Sequence, residues 1–106
     1  MAQDNDTPFG RDTHFGRSVM LSRGTEHVET FQNDQTLAMS LKHGKYFAMK
    51  GTAQRIWELL ETPRSERDLL DQIAREYRIP AGQCAREVLP FLAELRQFGL
   101  IVEGPA

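Results

Sequence analysis

The residues of this chain that could carry out chemistry are three histidines, one cysteine and several carboxylates. His14, His27 and His43 stand far apart, and none has a second ligand at the helical or loop spacing that zinc sites use. Cys84 falls in a predicted apolar stripe, where no nearby base would lower its pKa and activate the thiol. These residues therefore predict neither a metal site nor a nucleophile.

The carboxylates and glycines complete no catalytic or phosphate-binding motif. Glu58 and Glu61 are close enough in sequence to pair, but they fall on a predicted polar helix face, where solvation explains them. The glycines at positions 10, 16 and 24 are not followed by a predicted helix, as a phosphate-binding loop requires. We therefore expect a protein that is not an enzyme and has no cofactor.

Composition indicates a small soluble domain. The chain has 106 residues, of which 40% are hydrophobic and 26% are charged, and this suits a single compact unit. No apolar run reaches the ~18 residues of a membrane span, and the N-terminus lacks the parts of a signal peptide. The expected location is therefore the cytoplasm. A net charge of −2 gives no general attraction to nucleic acid.

The chain divides into a polar segment and a domain. Residues 1–24 are rich in Asp, Asn, Gly, Arg and Thr without periodicity, which predicts a mobile N-terminal tail. Near its end, the apolar residues Val19, Met20 and Leu21 could still add a short strand. Residues 25–106 form the predicted domain.

The first half of this domain alternates apolar and polar residues with a period of two, which predicts half-buried strands. Turn residues at 33–35 and 42–44 separate three strands, at 27–32, 36–41 and 45–49. In the third strand, Phe47 and Met49 should face the core while Tyr46 and Ala48 point away. The prediction is a three-stranded antiparallel meander.

Three helices should follow the strands. Gly51 permits a sharp exit into a helix over 52–61, and Ser65 with Asp68 resembles the capping box of a second helix. The third helix should run over 81–98, with Gly99 as its stop. Its apolar surface is wider than one side of a small core needs. Two adjacent stripes make up this surface, Cys84, Val88, Phe91, Leu95 and Phe98 in one, and Ala85, Leu89, Leu92 and Ala93 in the other.

This order of elements predicts an α+β fold of the winged helix-turn-helix type, a three-stranded sheet followed by three helices. A DNA-recognition helix needs several cations, whereas the third helix sets Arg86 and Arg96 against Glu87 and Glu94. We therefore expect no nucleic-acid partner, and a winged-helix DNA-binding regulator is the alternative.

The third strand leaves one edge of the predicted sheet free. Free edges must be covered or used, because they carry unpaired N–H and C=O groups. An extended peptide laid along the edge would add a fourth strand. A second copy of the chain could also pair there, which would give a homodimer.

Four segments of the sequence are distinctive in their order and spacing, GKYFAMKGTAQRIWELL at 44–60, DLLDQIAREY at 68–77, EVLPFLAEL at 87–95 and GLI at 99–101. Together they resemble the PqqD-like family, the precursor-peptide recognition elements of ribosomally made, modified peptides. Within that family the aromatic pair Tyr46 and Phe47, with Ile56 and Trp57 after the junction, looks most similar to the free-standing B1 proteins of lasso-peptide clusters.

The resemblance implies a non-catalytic adaptor that binds the leader of a precursor peptide. It would deliver the leader, which in lasso precursors commonly carries a Tyr-x-x-Pro motif, to a B2 cysteine protease or another modifying enzyme. A PqqD proper, which presents its precursor to a radical enzyme in quinone-cofactor synthesis, is the alternative within the family. The resemblance places the leader against the third strand and third helix, and the implied contacts are Lys45, Tyr46, Phe47, Ala48, Met49, Ala85, Leu89, Leu92, Ala93 and Arg96.

Overall fold

The computed structural model describes residues 18–104, which form three helices and six strands. His14 and most of the predicted tail lie outside the described residues. In chain order the elements are β1 (Met20–Arg23), β2 (His27–Gln32), β3 (Gln35–Ser40), β4 (Tyr46–Met49), α1 (Thr52–Leu59), β5 (Arg64–Ser65), α2 (Glu66–Tyr77), α3 (Ala81–Gln97) and β6 (Ile101–Gly104).

The predicted meander is present as an antiparallel sheet of order β2-β3-β4. Asn33 and Asp34 form the tight turn between β2 and β3, with φ angles of 55° and 61°, which these two residue types tolerate in hairpin turns. Phe47 and Met49 are 8% and 0% exposed. Their predicted orientation toward the core is confirmed.

The apolar residues of β2 and β3 lie on the outer face of this sheet, although their alternation predicts that they are half-buried. Val28 and Leu37 are 52% and 40% exposed. The inner positions of β3 hold Thr36, Ala38 and Ser40, which are at most 2% exposed. Small inner residues suffice there because the large core side chains come from β4 and the helices. The period of two is correct, but the buried side is the opposite one.

A second sheet, of order β5-β1-β6, was not predicted from the sequence. It includes the end of the predicted tail, since Leu21 in β1 is 0% exposed and Gly24 N–H donates to the Leu100 carbonyl at 2.8 Å. The prediction of a mobile segment up to residue 24 is therefore wrong for residues 20–23, where the apolar run allowed a strand. A four-residue strand gives a weak signal when its partners lie far along the chain.

The three helices follow their predicted starts and stops closely. The Ser65 hydroxyl accepts the Asp68 N–H at 3.0 Å, which is the expected N-terminal cap of α2. Gly51 and Gly99 have φ angles of 62° and 78°, a region that glycine enters without steric cost. α3 continues through Pro90 to Gln97. The predicted α+β fold with three helices is confirmed, and the second sheet is added to the predicted meander.

Trp57 joins the two sheets to α1. Its ring lies 4.4 Å from the Arg23 guanidinium carbon, and Arg23 Nη2 donates to the Trp57 carbonyl at 2.6 Å. Trp57 Nε1 donates to Glu29 Oε2 at 3.2 Å, while Glu29 Oε1 lies 2.8 Å from His27 Nε2. Because Arg23 belongs to β1 and Glu29 to β2, this cluster fixes both sheets to one helix.

Glu29 makes the stability of this cluster depend on pH. Burial works to raise its pKa, but hydrogen bonds from His27 and Trp57 and the charge of Arg23 hold the pKa below 4.5. A carboxyl of this kind stabilises the fold above its unfolded pKa and loses that contribution as pH falls through the folded value. We expect Glu29→Gln to flatten the loss of unfolding free energy below pH 4.5, measured by denaturant titration. Glu26→Gln, at an exposed position, is the control. If the unfolding free energy of Glu29→Gln falls with decreasing pH as steeply as that of the unmodified protein, Glu29 does not have this role.

Candidate functional site

β4 is an edge strand with one open side. Within residues 18–104 it pairs with β3 and with no other strand. The Ser40 N–H donates to the Lys45 carbonyl at 2.9 Å, so Lys45, Phe47 and Met49 direct their backbone groups toward β3. Tyr46 and Ala48 then direct theirs outward. About four hydrogen bonds are available there to an added strand.

An apolar groove lies between this edge and α3. At one end, the Phe98 ring centroid lies 5.7 Å from that of Phe47 and 5.3 Å from that of His43. Lys45 Nζ lies 5.4 Å from the Phe98 centroid. At the other end, where β4 passes into α1, there is a cavity of about 270 Å³. The cavity is lined by Thr52, Ala53, Ile56, Ile79, Glu87, Val88 and Phe91.

The wall that α3 gives to this groove alternates acidic and aromatic residues. Glu87, Phe91, Glu94 and Phe98 are spaced by four, three and four positions, so they form one line along the helix. The two glutamates are exposed, while the two phenylalanines are partly buried against the core. We call these four residues the acidic-aromatic stripe.

Two of the predicted helix contacts are core residues. Ala85 and Leu92 are 5% and 0% exposed. They belong to the continuous hydrophobic core, and a peptide in the groove would not reach them without displacing it. The structure therefore does not bring these two side chains to the surface that β4 borders.

The other three predicted helix contacts lie on the side of α3 away from the acidic-aromatic stripe. Arg96 Nη1 lies 3.4 Å from Glu66 Oε2 and its Nε lies 3.3 Å from Glu103 Oε2, which directs it toward α2 and β6. By helical spacing Leu89 and Ala93 share that side, Leu89 half-buried and Ala93 exposed. A peptide contact at Leu89, Ala93 or Arg96 stays a prediction.

Of the ten predicted contacts, the five at positions 45–49 form the edge strand beside the groove, where Tyr46 and Ala48 turn their backbone groups outward. The Tyr46 side chain lies on the outer face of the sheet, near Val28 and Leu37.

Sequence reasoning identified the stripe with Val88, Phe91 and Phe98 but did not assign it to the site. Helical periodicity defines the faces of α3, yet it does not show which face turns toward β4. That depends on how α3 packs between α2 and the sheets. The available signal was the pair of large aromatic residues seven positions apart on one face, Phe91 and Phe98.

The described residues show no arrangement for metal binding or thiol chemistry. Between residues 18 and 104, no group of three His, Cys, Asp or Glu side chains could hold a metal ion. Burial raises the pKa of the Cys84 thiol, and its Sγ donates to the Leu70 carbonyl at 3.5 Å. Across this same range, every helix is too short or too polar to cross a membrane.

The model of one protein family, described as coenzyme PQQ synthesis protein D (PqqD), matches residues 19–101. The chain belongs to the PqqD family. This match runs from β1 to the start of β6, and it confirms the resemblance found in the sequence. No curated protein matches this PqqD-family chain closely enough to be compared with it.

A solved structure gives a further comparison for this PqqD-family protein. The structure of "TbiB1 in Complex with the TbiA(beta) Leader Peptide" is similar to it with a TM-score of 0.67 and 28% sequence identity. The similarity covers 80% of this chain and 98% of the TbiB1 chain. The α+β fold is thus shared with a protein that has been solved with a leader peptide bound.

Proposed function

We propose that this protein is a non-catalytic adaptor that binds the leader of a ribosomally made precursor peptide as an added strand along β4. The observation that carries the proposal is the open edge at Tyr46 and Ala48 beside an apolar groove. The similarity to TbiB1, which is complexed with a leader peptide, supports the same use of this fold.

The energetics of strand addition favour a peptide with apolar anchors. About four backbone hydrogen bonds at ~0.5 to 1.5 kcal/mol each contribute roughly 2 to 6 kcal/mol. Ordering a disordered segment costs roughly 2 to 5 kcal/mol, so backbone pairing alone gives weak binding. Each apolar side chain buried in the groove adds ~1.5 to 3 kcal/mol. Side chains that seat against Phe91 and Phe98 therefore decide which peptides bind.

We infer further that the captured leader is delivered to a B2-type cysteine protease, which removes it before the ring of a lasso peptide is closed. The likeness to TbiB1 and the sequence resemblance to B1 proteins support this partner. The description of the family model, coenzyme PQQ synthesis, supports the alternative of presentation to a radical enzyme in quinone-cofactor synthesis. Either partner would receive the peptide from the same edge.

Titration of isotope-labelled protein separates the adaptor from a DNA-binding regulator. We expect a lasso-type leader peptide with the Tyr-x-x-Pro motif to shift the amide resonances of Tyr46 and Ala48, while a mixed-sequence DNA duplex shifts neither. Resonance changes in α3 on adding the duplex, with no response to the peptide, would reject the adaptor.

Two single variants on α3 test which side of that helix contacts the peptide. Phe91→Ala should weaken leader binding about tenfold or more, because it removes the ring that lines the cavity. A loss of ~1.4 kcal/mol of binding free energy raises the dissociation constant tenfold. Ala93→Asp, on the opposite side and exposed, should leave the dissociation constant within about twofold. Calorimetric titration measures both, and circular dichroism confirms folding. If instead Ala93→Asp weakens binding and Phe91→Ala does not, the peptide lies against Ala93 and Arg96.

A further inference from the structure

The two carboxylates of the acidic-aromatic stripe form no ion pair within residues 18–104, unlike Glu58 and Glu76. Glu58 and Glu76 lie 3.2 Å and 2.9 Å from Arg55 nitrogens. Within residues 18–104, Glu87 Oε2 accepts one hydrogen bond, from Gln83 Nε2 at 3.2 Å, and forms no ion pair. Glu94 is exposed about two turns further along α3. Both carboxylates thus border the groove with their charge uncompensated by a described cation.

The spacing of the stripe fits the side chains of an added strand. Glu87 to Phe98 spans eleven positions, or roughly 16 Å of helix at 1.5 Å per residue. Side chains on one face of a strand recur about every 6.6 Å. Three inward side chains of an extended peptide span roughly 13 Å, which fits within this length, so they can face Glu87, Phe91 and Glu94 in turn, with a fourth reaching the Phe98 end.

We propose that the peptide bound here carries basic residues at the two inward positions that face Glu87 and Glu94, on either side of an apolar residue seated against Val88 and Phe91. This inference rests on the proposed function and names the class of its peptide. Partial burial in the groove strengthens each pairing with a carboxylate. Acidic residues at the same positions are rejected by like charge, which gives specificity as well as affinity.

The end of the groove at Phe98 is positively charged, because Lys45 lies there. Lys45 Nζ lies 5.9 Å from the Phe47 ring centroid and 5.4 Å from that of Phe98, so a cation of the peptide is disfavoured there. The inward position that faces Phe98 is therefore apolar or acidic. An acidic residue at that end of the peptide, with basic residues at the other, would favour one direction of the peptide along β4.

Two synthetic peptides of the same length test the inference by fluorescence anisotropy. Both carry one apolar anchor, flanked two residues before and after by Lys in one peptide and by Glu in the other. We expect the Lys peptide to bind about tenfold more tightly, an advantage that shrinks as salt is raised. In the Glu87→Lys/Glu94→Lys double variant the preference should reverse, whereas Glu61→Lys, on an exposed site beyond α1, should keep it.

The outcomes separate this inference from the proposed function. Equal affinity for the two peptides, with the Tyr46 and Ala48 amides shifted by each, would overturn the inference and leave the adaptor intact. A Lys preference that survives the double variant would also overturn it, because other residues would then select the charge. If neither peptide shifts those amides while a leader peptide with the Tyr-x-x-Pro motif does, the inference is overturned and the adaptor stands. If that leader peptide also fails, the proposed function falls as well.

Discussion

Ala48→Pro is expected to weaken leader binding strongly while leaving the fold in place. The Ala48 N–H lies on the open edge of β4 rather than on the side bonded to β3, as the register at Lys45 requires. Proline removes this donor and sets its ring in the path of the added strand, and edge strands tolerate proline because no ladder bond is lost. An unsatisfied peptide carbonyl costs ~1 to 3 kcal/mol, so the dissociation constant should rise roughly 10- to 100-fold.

Ala48→Val is the matched control for the edge. It keeps the N–H and adds a β-branched side chain that strands favour, on a face where Ala48 is exposed. We expect it to bind the leader about as well as the unmodified protein, by calorimetric titration. Binding by the proline variant that equals binding by the valine variant would mean that the peptide does not pair with β4.

Trp57→Ala should have the largest effect on stability. Trp57 is 1% exposed, and it holds Arg23 of β1 and Glu29 of β2 against α1. Removing a buried aromatic side chain costs about 3 to 5 kcal/mol, a large part of the ~5 to 15 kcal/mol that keeps a domain folded. Denaturant unfolding should show this loss, and the separation of the two sheets should reduce leader binding with it.

Trp57→Phe separates packing from hydrogen bonding in the same cluster. The phenyl ring keeps most of the buried surface but has no N–H for Glu29, so we expect a loss of about 1 to 2 kcal/mol. If Trp57→Ala lowers the free energy of unfolding by less than about 1 kcal/mol, Trp57 does not join the sheets, because truncating a buried aromatic side chain costs more than this.

The strand-to-helix run from Lys45 to Trp57 could be predicted because local signals agree along it. Gly51 marks the junction, period two precedes it and period 3.6 follows it, and each signal depends on residues close together in the chain. The inward placement of Phe47 and Met49 follows from that pattern alone. The open edge of β4 follows as well, because β4 is the last strand of a meander whose strands pair in chain order.

Two features could not be predicted in the same way: which side of α3 turns toward β4, and the pairing of residues 20–23 as β1. Both depend on contacts between residues far apart in the chain. Leu21 and Leu92 are buried only once β6 and α2 are in place. Nothing local distinguishes the helix side with Leu89 and Ala93 from the side with Phe91 and Phe98. Tertiary packing selects between two apolar stripes of similar width.

Hydrogen exchange at the β4 amides tests the central claim most directly. The N–H groups of Tyr46 and Ala48 point to the open edge, while those of Phe47 and Met49 point toward β3 and serve as internal references. The account predicts that Tyr46 and Ala48 exchange fast in the free protein and become protected when a saturating leader peptide is added. Fast exchange that persists in the bound state would contradict strand addition at β4.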